Sequence, residues 1–375
     1  MNEVPALTVL IKPASGNCNL RCRYCFYADE MKHRERSSYG QMSLETAEQL
    51  ICKSIQRTRQ NLTFAFQGGE PTLAGLDFYR EFVRLVQKYG RPGLNIQYSL
   101  QTNGMLMDNE WARFLHENHF LVGLSLDGPR KIHDLYRVRQ DGSGSWNRVL
   151  LASQLMKEYK VDFNILTVVT SRNAGKIREI YRFYQENKLH YQQYIPCIDP
   201  FGDGKGDCEY SLAAQEYGRF LIDLFDLWYE DIIHRRFIYI RMFENLCGML
   251  RGLPPESCGM GGVCGMQYVF EADGSVYPCD FYALDEWKLG NIREQSYEKL
   301  DRKRTELRFI ENSCRQPEKC RVCQWYSLCR NGCRRDRVTD LNGQPGINSY
   351  CEGYQAFFEA VYPRLARLAE GGGKE

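Results

Sequence analysis

The chain has 375 residues, which is enough for one large domain and a smaller module. Its formal charge of +2 excludes a bulk attraction to nucleic acid or to an anionic membrane. No apolar run approaches the roughly 20 residues of a membrane-spanning helix, and the segment before Lys12 is too short and too charged for a secretory signal. The sequence therefore predicts a cytoplasmic protein that binds neither nucleic acid nor membrane.

Short apolar runs alternate with segments of helical spacing along the first two thirds of the chain. The runs predict six strands, at 6–11, 62–66, 95–100, 120–126, 163–169 and 191–195. Helices are predicted at 43–57, 77–89, 108–118, 145–159, 174–187, 213–233 and 354–368. This alternation favours parallel strands with crossover helices. Six units are fewer than the eight of a closed barrel, so the predicted fold class is α/β, a partial (β/α)6 TIM-like barrel.

The composition changes near Pro254 and Pro255, after which the chain is turn-rich and dense in cysteine. Such a segment is typical of a module held by metal rather than by a core. We therefore expect a barrel domain over 1–235, a connecting segment over 236–257, a cysteine-rich module over 258–353, and a C-terminal helix and tail over 354–375.

Sixteen cysteines in a reducing compartment favour metal binding over disulfides. Three of them lie between Cys18 and Cys25, and eight of the nine between Cys258 and Cys351 form a regular pattern. The other five are predicted to be small buried hydrophobic residues; they are Cys52, Cys197, Cys208, Cys247 and Cys314.

The spacing Cys18-x3-Cys22-x2-Cys25 follows the first strand directly. It therefore lies at the carboxyl end of that strand, where α/β barrels place their active sites. Thiolates suit iron–sulfur clusters, and three ligands leave one iron of a cubane open for a substrate. Zinc is the alternative, although structural zinc usually takes a fourth Cys or His.

Polar residues follow the next strands. The turn Gly68–Glu70 combines glycines, which allow close approach of backbone to a ligand, with a carboxylate that can bind an ammonium group. Ser125, Asn103 and Asp127 also end strands, and Arg137 can pair with a carboxylate. Helix capping is the alternative role for the serine and the aspartate.

The later cysteines form two groups, Cys258-x5-Cys264-x14-Cys279 and Cys320-x2-Cys323-x5-Cys329-x3-Cys333-x17-Cys351. Eight thiolates are the number that two fully ligated cubanes require. A pair of zinc ribbons is the alternative, because Cys-x2-Cys is also typical of them.

The segment Cys18-Asn-Leu-Arg-Cys22-Arg-Tyr-Cys25 resembles the signature of the radical S-adenosylmethionine (SAM) superfamily. The resemblance implies a cluster whose open iron binds the methionyl amino and carboxylate groups. An electron from it would release a 5′-deoxyadenosyl radical. Carried over by position, the SAM contacts are Tyr24, Gly68, Gly69, Glu70, Ser125, Arg137 and Ile198.

The C-terminal cysteines resemble the SPASM domain, whose two auxiliary clusters interleave. The resemblance assigns the first auxiliary cluster to Cys258, Cys264, Cys279 and Cys333, and the second to Cys320, Cys323, Cys329 and Cys351. With the radical cluster this gives three 4Fe–4S clusters. A fully ligated cluster is suited to moving electrons rather than to binding substrate.

Longer segments resemble the anaerobic sulfatase-maturating enzymes; they are 10–15, 64–75, 99–104, 122–129 and 273–282. The resemblance implies oxidation of a Cys or Ser side chain to Cα-formylglycine. The substrate would be an unfolded or nascent sulfatase with a Cys/Ser-x-Pro-x-Arg motif. The external electron donor would be a ferredoxin or flavodoxin. Asp280 is the expected base, and Gln67 and Tyr282 are expected substrate contacts.

Two other functions stay open. A SPASM enzyme that cross-links or epimerises a ribosomal peptide often carries an N-terminal recognition domain of ~80 residues, and the segment before Cys18 has no room for one. A non-enzymatic iron–sulfur or zinc scaffold protein would not need the Gly68–Glu70 turn.

Overall fold

The structure is a computed structural model that describes residues 3–202, 206–339 and 345–371. Residues 372–375 of the predicted tail lie outside this part. The described strands are β1 (Val4–Ile11), β2 (Thr58–Phe66), β3 (Asn95–Thr102), β4 (Phe120–Ser125), β5 (Asp162–Val169), β6 (Tyr191–Pro196), β7 (Tyr239–Ile240), β8 (Tyr268–Phe270), β9 (Ser275–Tyr277), β10 (Gly290–Asn291), β11 (Arg337–Thr339) and β12 (Pro345–Asn348). The described α-helices are α1 (Phe26–Lys32), α2 (Leu44–Arg57), α3 (Leu76–Tyr89), α4 (Asn109–Glu117), α5 (Arg130–Tyr136), α6 (Trp146–Glu158), α7 (Ile177–Glu186), α8 (Ala214–Ile233), α9 (Arg241–Leu250), α10 (Cys258–Gly261), α11 (Tyr297–Glu306), α12 (Phe309–Ser313), α13 (Glu318–Arg321), α14 (Tyr326–Cys329) and α15 (Cys351–Ala369).

The six predicted strands are confirmed as β1 to β6, and the predicted helices are confirmed as α2, α3, α4, α6, α7, α8 and α15. Side chains fix two of the helix starts. The Ser43 hydroxyl accepts a hydrogen bond from the Thr46 amide, and Asp108 accepts one from the Trp111 amide. The segment predicted as helical from residue 174 opens with a 3-10 turn, Ala174–Lys176.

The chain folds into two compact units. The first comprises Met1–Leu126, His133–Asn164 and Met266–Leu307; the second comprises Asp127–Ile132, Ile165–Gly265 and Arg308–Glu375. These units differ from the predicted domains, whose boundaries stay a prediction. The segment 236–257, predicted as a connection, contains α9.

The first unit contains a sheet in the order β10-β9-β8-β1-β2-β3-β4. β1 to β4 pair in parallel, and β8 adds in parallel to the other side of β1. Val9, Ile11, Phe64 and Phe66 point into its core, each at most 1% exposed. The carboxyl ends of β1, β2, β3, β4 and β8 therefore meet at one edge, the edge that carries the first cysteines.

Residues 266–307 correct one expectation. We expected the cysteine-rich segment to be held by metal rather than by a core. Instead, Val269, Tyr277 and Ala283 are fully buried and form a hydrophobic group on which Leu10 packs. The expectation is therefore wrong for this stretch, because its short apolar strands extend the sheet of the first unit.

The second unit contains β5, β6 and β7 in parallel order. Helices α8 and α15 pack closely there, because two glycines face each other: a Cβ on Gly218 would lie 2.7 Å from the Cα of Gly353. Among the described helices, none is both long and apolar enough to cross a bilayer.

Replacing Gly353 by alanine is expected to lower the free energy of unfolding by about 1–3 kcal/mol, because overpacking forces the backbones apart. The new Cβ would lie 2.1 Å from the carbonyl oxygen of Ala214. Thermal unfolding followed by circular dichroism measures the change. Gly175→Ala is the matched control, since nothing lies within 4 Å of its Cβ. Equal midpoints for the two variants would contradict the close helix contact.

Candidate active site

The first three cysteines lie on the loop between β1 and α1. The Leu20 amide donates to Cys18 Sγ at 3.4 Å, and Cys25 precedes the first residue of α1. Burial raises the pKa of the Cys18 thiol to about 12, so the protein alone does not favour the thiolate that binds metal. The positive charge of an iron centre would stabilise the thiolate forms of these cysteines.

The Gly68–Glu70 turn packs directly on this cysteine loop. The Glu70 amide donates to the Asn17 carbonyl at 2.8 Å. Gly69 has φ +52°, and a Cβ there would lie 2.2 Å from the same carbonyl oxygen. Only glycine therefore permits this approach.

The Glu70 carboxylate ties the turn to the end of β3. It is fully buried and accepts from the Thr72 amide and hydroxyl, the Thr102 hydroxyl and the Asn103 amide, at 2.6–3.1 Å. Burial raises its pKa despite these donors. In the structure Glu70 thus shapes the turn, and its contact with the methionyl amino group stays a prediction.

Replacing Gly69 by alanine is expected to weaken SAM binding at least tenfold, which corresponds to about 1.4 kcal/mol. The cause is the collision with Asn17, which would move the turn away from the cysteine loop. Calorimetric titration of the reconstituted protein with SAM measures it. Gly75→Ala also puts a side chain at positive φ, +84°, but its Cβ meets nothing within 4 Å. Equal affinities in the two variants would contradict the role of the turn.

The structure brings two other predicted residues, Arg137 and Asn103, to the same loop. The Arg137 guanidinium lies over the Tyr24 ring, 5.4 Å from its centroid, and both side chains are buried. The charge of Arg137 acts to lower the pKa of Cys25, although burial raises it overall. Asn103 Nδ2 lies 3.7 Å from Cys18 Sγ and 2.8 Å from Asn19 Oδ1. Ser125 is buried at the end of β4.

Two predicted residues belong to the second unit. Asp127 Oδ1 accepts from the Val168 amide at 3.0 Å, which gives this carboxylate a structural partner. Ile198 is half-buried just beyond β6. The contact of Ile198 with adenine stays a prediction.

Asp280 lies in a buried polar network at the same edge of the sheet of the first unit. Its Oδ2 accepts from the Tyr27 hydroxyl at 2.5 Å and from Gln67 Nε2 at 2.8 Å. Gln67 Nε2 also lies 2.8 Å from the Tyr27 hydroxyl. Oδ1 is buried and has no hydrogen-bond partner. The carboxylate is thus held on one oxygen and left with acceptor capacity on the other.

Charged residues surround this carboxylate. Lys12 Nζ lies 3.5 Å from Asp280 Oδ1, 3.4 Å from Glu30 and 3.6 Å from Glu271. Arg34 pairs with Glu271 at 2.7 Å. We call these five residues the Lys12 network; all are at most 8% exposed. Burial acts against the charge of Lys12, but its three carboxylates raise its pKa overall.

Sequence reasoning missed Tyr27, Lys12, Glu30 and Glu271. For two of them, Lys12 and Glu271, the sequence does contain an indication of a site. Lys12 follows the last residue of β1 and Glu271 follows the last residue of β8, and a charged residue at the carboxyl end of a buried strand indicates a site in barrels. By contrast, Tyr282 packs edge-on against Trp287, and its substrate contact stays a prediction.

The four cysteines predicted for the second auxiliary cluster line one cavity in the second unit. Trp325, Tyr354 and Phe358 also line it. Cys258, Cys264 and Cys333 also lie in this unit. Burial raises the pKa of Cys333, and the charges of Cys258 and Cys264 raise it further. Cys279 belongs to the first unit, and its place in the set stays a prediction. Of the five other cysteines, Cys197 and Cys247 are buried as predicted, and Cys52 and Cys208 are only partly buried. Cys314 is exposed, so its predicted burial is wrong; it lies just beyond the short helix α12.

Comparison with known proteins decides the family. Residues 13–184 match the radical SAM superfamily, and residues 262–324 match the SPASM iron–sulfur cluster-binding domain. A cysteine-type anaerobic sulfatase-maturating enzyme of Clostridium novyi (strain NT) is 45% identical, over 97% of this chain and 98% of its own. The chain belongs to the anaerobic sulfatase-maturating enzymes. This maturase therefore has the radical SAM fold with a SPASM domain, as predicted.

Two further relatives agree. A serine-type anaerobic sulfatase-maturating enzyme of Bacteroides thetaiotaomicron is 32% identical to this maturase, over 96% of this chain and 90% of its own. The solved structure of native anSMEcpe with bound AdoMet and Kp18Cys peptide is 44% identical, with a TM-score of 0.93, and covers 98% of this chain and 100% of that one. The maturase is thus an oxidoreductase that uses 4Fe–4S clusters and SAM, and the zinc and scaffold alternatives are wrong.

The thiols of the maturase fit these cofactors. Soft thiol donors gather on one loop in the first unit and around one cavity in the second. This donor set suits iron–sulfur clusters. The assignment of individual cysteines to clusters stays a proposal.

Proposed function

We propose that this maturase oxidises a cysteine side chain of a sulfatase polypeptide to Cα-formylglycine, with Asp280 as the base. The buried Oδ1 of Asp280 carries the proposal, because it accepts no hydrogen bond from the described residues and lies 3.5 Å from Lys12 Nζ. Cysteine is favoured over serine because the cysteine-type relatives are 44–45% identical to the chain, against 31–32% for the serine-type relatives.

The Asp280 environment suits proton transfer from a thiol. Tyr27 and Gln67 donate to Oδ2 and so fix the plane of the carboxylate. Burial holds the pKa of Tyr27 well above its ordinary value, so the phenol stays protonated and keeps donating. Oδ1 is then the oxygen that takes the substrate proton. A positioned base of this kind contributes typically about 10²–10⁴-fold to the rate.

When bound, the cofactors would supply a 5′-deoxyadenosyl radical able to remove one hydrogen atom from the substrate Cβ, and clusters able to accept one electron. Asp280 takes the thiol proton. The substrate thereby loses two electrons and two protons in total and becomes a thioaldehyde. Water then replaces sulfur, which leaves the aldehyde and hydrogen sulfide.

The residues that would hold the cofactors follow from the loops described above. Cys18, Cys22 and Cys25 would hold the radical cluster. Gly68, Gly69 and Glu70 would hold the methionyl amino group, and Arg137 its carboxylate. The position of Gly69 against the cysteine loop and of Arg137 beside Cys25 supports this arrangement. Tyr24, Ser125 and Ile198 complete the proposed SAM contacts.

The burial of Asp280 also favours an unfolded substrate. The carboxylate is only 6% exposed, so a target cysteine must enter on a flexible segment. We infer that the partner is an unfolded or nascent sulfatase with a Cys-x-Pro-x-Arg motif. A ferredoxin or flavodoxin would supply electrons, in the cytoplasm, where sixteen cysteines stay reduced.

One experiment tests the reaction. The reconstituted maturase is incubated without oxygen with reductant, SAM and a Cys-x-Pro-x-Arg peptide, and mass spectrometry follows the products. We expect the mass loss of thiol-to-aldehyde conversion together with 5′-deoxyadenosine. Peptides with Ser or Ala at the target position are the matched controls. Deoxyadenosine without a change in the cysteine peptide would reject this substrate.

A further inference from the structure

Arg337 is a buried cation in the second unit. It opens β11 and is 3% exposed. Its guanidinium donates to four backbone carbonyls at 2.5–3.2 Å, those of Gly262, Ser313, Asn331 and Gly332. Because guanidinium keeps its proton in proteins, these bonds fix a full positive charge at one place.

Three of the four carbonyls belong to segments between auxiliary-cluster cysteines, and the fourth, that of Ser313, ends α12. Gly262 lies between Cys258 and Cys264, and Gly332 lies between Cys329 and Cys333. The first pair is assigned to the first auxiliary cluster. The second pair contains one ligand of each cluster. The side chain of Arg337 therefore binds loops that carry ligands of both auxiliary clusters.

The guanidinium of Arg337 binds carbonyls that lie close in sequence to ligands of both sets. It binds the carbonyl of Gly262, two residues before Cys264, and that of Gly332, directly before Cys333 and three residues after Cys329. Arg334 is the neighbour of Cys333, and Lys319 is the neighbour of Cys320. The burial of Arg337 limits screening of its charge by salt.

We propose that Arg337 is a positioning residue that raises the reduction potentials of both auxiliary clusters. The proposal rests on the ligand sets given above. Reduction adds one negative charge to a cluster, and a fixed cation nearby stabilises the reduced form more than the oxidised form. The oxidation of the substrate needs a ready electron acceptor, and Arg337 makes both clusters better acceptors.

The test is a redox titration of the reconstituted, full-length maturase, followed by electron paramagnetic resonance without substrate. In Arg337→Gln we expect the equilibrium constant for one-electron reduction of each auxiliary cluster to fall at least tenfold, a shift of about 59 mV. The radical cluster should keep its potential. Unchanged auxiliary potentials at full iron content would overturn the proposal.

Two further variants separate an effect on the reduction potentials from a failure to fold or to bind iron. Arg337→Lys keeps the positive charge but loses the planar guanidinium with its several hydrogen-bond donors. It should therefore keep both reduction potentials near the wild-type values. Asn348→Asp keeps Arg337 and puts a carboxylate at the residue that pairs with it across β11 and β12. This variant should lower both potentials as Arg337→Gln does. If Arg337→Gln fails to bind its iron, the first auxiliary cluster of Asn348→Asp decides, because Asn348 itself lines the cavity of the second cysteine set. An unchanged potential of the first cluster in that variant would overturn the proposal.

Two matched variants test the shared action. Arg334→Gln should shift only the first auxiliary cluster. Lys319→Gln should shift only the second, because Lys319 lines the cavity of that cysteine set. If Arg337→Gln shifted the potential of only one auxiliary cluster, or shifted both no more than these variants do, the proposed action of Arg337 on both clusters would be rejected. The potentials need no substrate, so a failure of the peptide reaction and a failure of this proposal are seen separately.

Discussion

Replacing Asp280 by asparagine is expected to slow formylglycine formation by about 10²–10⁴-fold, the contribution typical of a positioned base. Asparagine keeps the shape, so Tyr27 can still donate to the side chain, but the amide cannot take the thiol proton. Anaerobic assay of the Cys-x-Pro-x-Arg peptide by mass spectrometry measures the rate. SAM cleavage should fall much less, because it precedes proton transfer. The ratio of 5′-deoxyadenosine to formylglycine should therefore rise.

Asp285→Asn is the matched control for Asp280→Asn. Asp285 lies five residues further along the chain and accepts a hydrogen bond from the Glu35 amide near the surface. Its replacement should leave the ratio of the two products unchanged. Wild-type turnover in Asp280→Asn would remove Asp280 as the base, while the radical chemistry and the family would stand.

Replacing Lys12 by methionine is expected to destabilise the maturase by about 3–5 kcal/mol, the usual cost of breaking a buried ion pair from one side. The Lys12 network already has one carboxylate more than it has cations, and Lys12 lies within 3.6 Å of three of them. The variant leaves Arg34 to balance Glu30, Glu271 and Asp280. Thermal unfolding of the protein measures the loss.

The double variant Lys12→Met/Glu30→Gln removes one charge of each sign. It should recover part of the lost stability, because it restores the charge balance of the Lys12 network. The carboxylates raise the pKa of Lys12, so its contribution is fully present below the ordinary value of 10.5 and is lost as pH rises through the raised value. The stability difference from wild type should therefore stay constant between pH 7 and 9. A single variant as stable as the double one would contradict this account.

The barrel half of the fold could be predicted because local patterns repeat there. Apolar runs such as 62–66 and the N-cap Ser43 are signals within a few residues. β8 could not be predicted, because three residues carry too little periodicity and its pairing partner, β1, is more than 250 residues away in sequence. Helix α1 was missed for a related reason: it is short and begins directly after the cysteine loop.

The residues of the candidate site also fall into two groups, those that sequence patterns predict and those that only tertiary structure brings together. Cysteines and glycines at fixed spacing could be read from the chain, as in Cys18 to Cys25 and in Gly68–Glu70. The Lys12 network could not, because its members come from β1, α1 and the segment after β8, and only tertiary structure brings them together. Arg337 also gives no local signal, since its meaning depends on the carbonyls it binds.

The pairing of β8 with β1 has a practical consequence for truncation. A shortened protein that ends before residue 266 would lose the strand beside β1 and leave an open edge of unpaired amides and carbonyls. It would also lose Glu271, and with it the acceptor of Ser15 and Arg34. The radical SAM part of this enzyme is therefore not a separable catalytic fragment, and the enzyme has to be expressed as one piece.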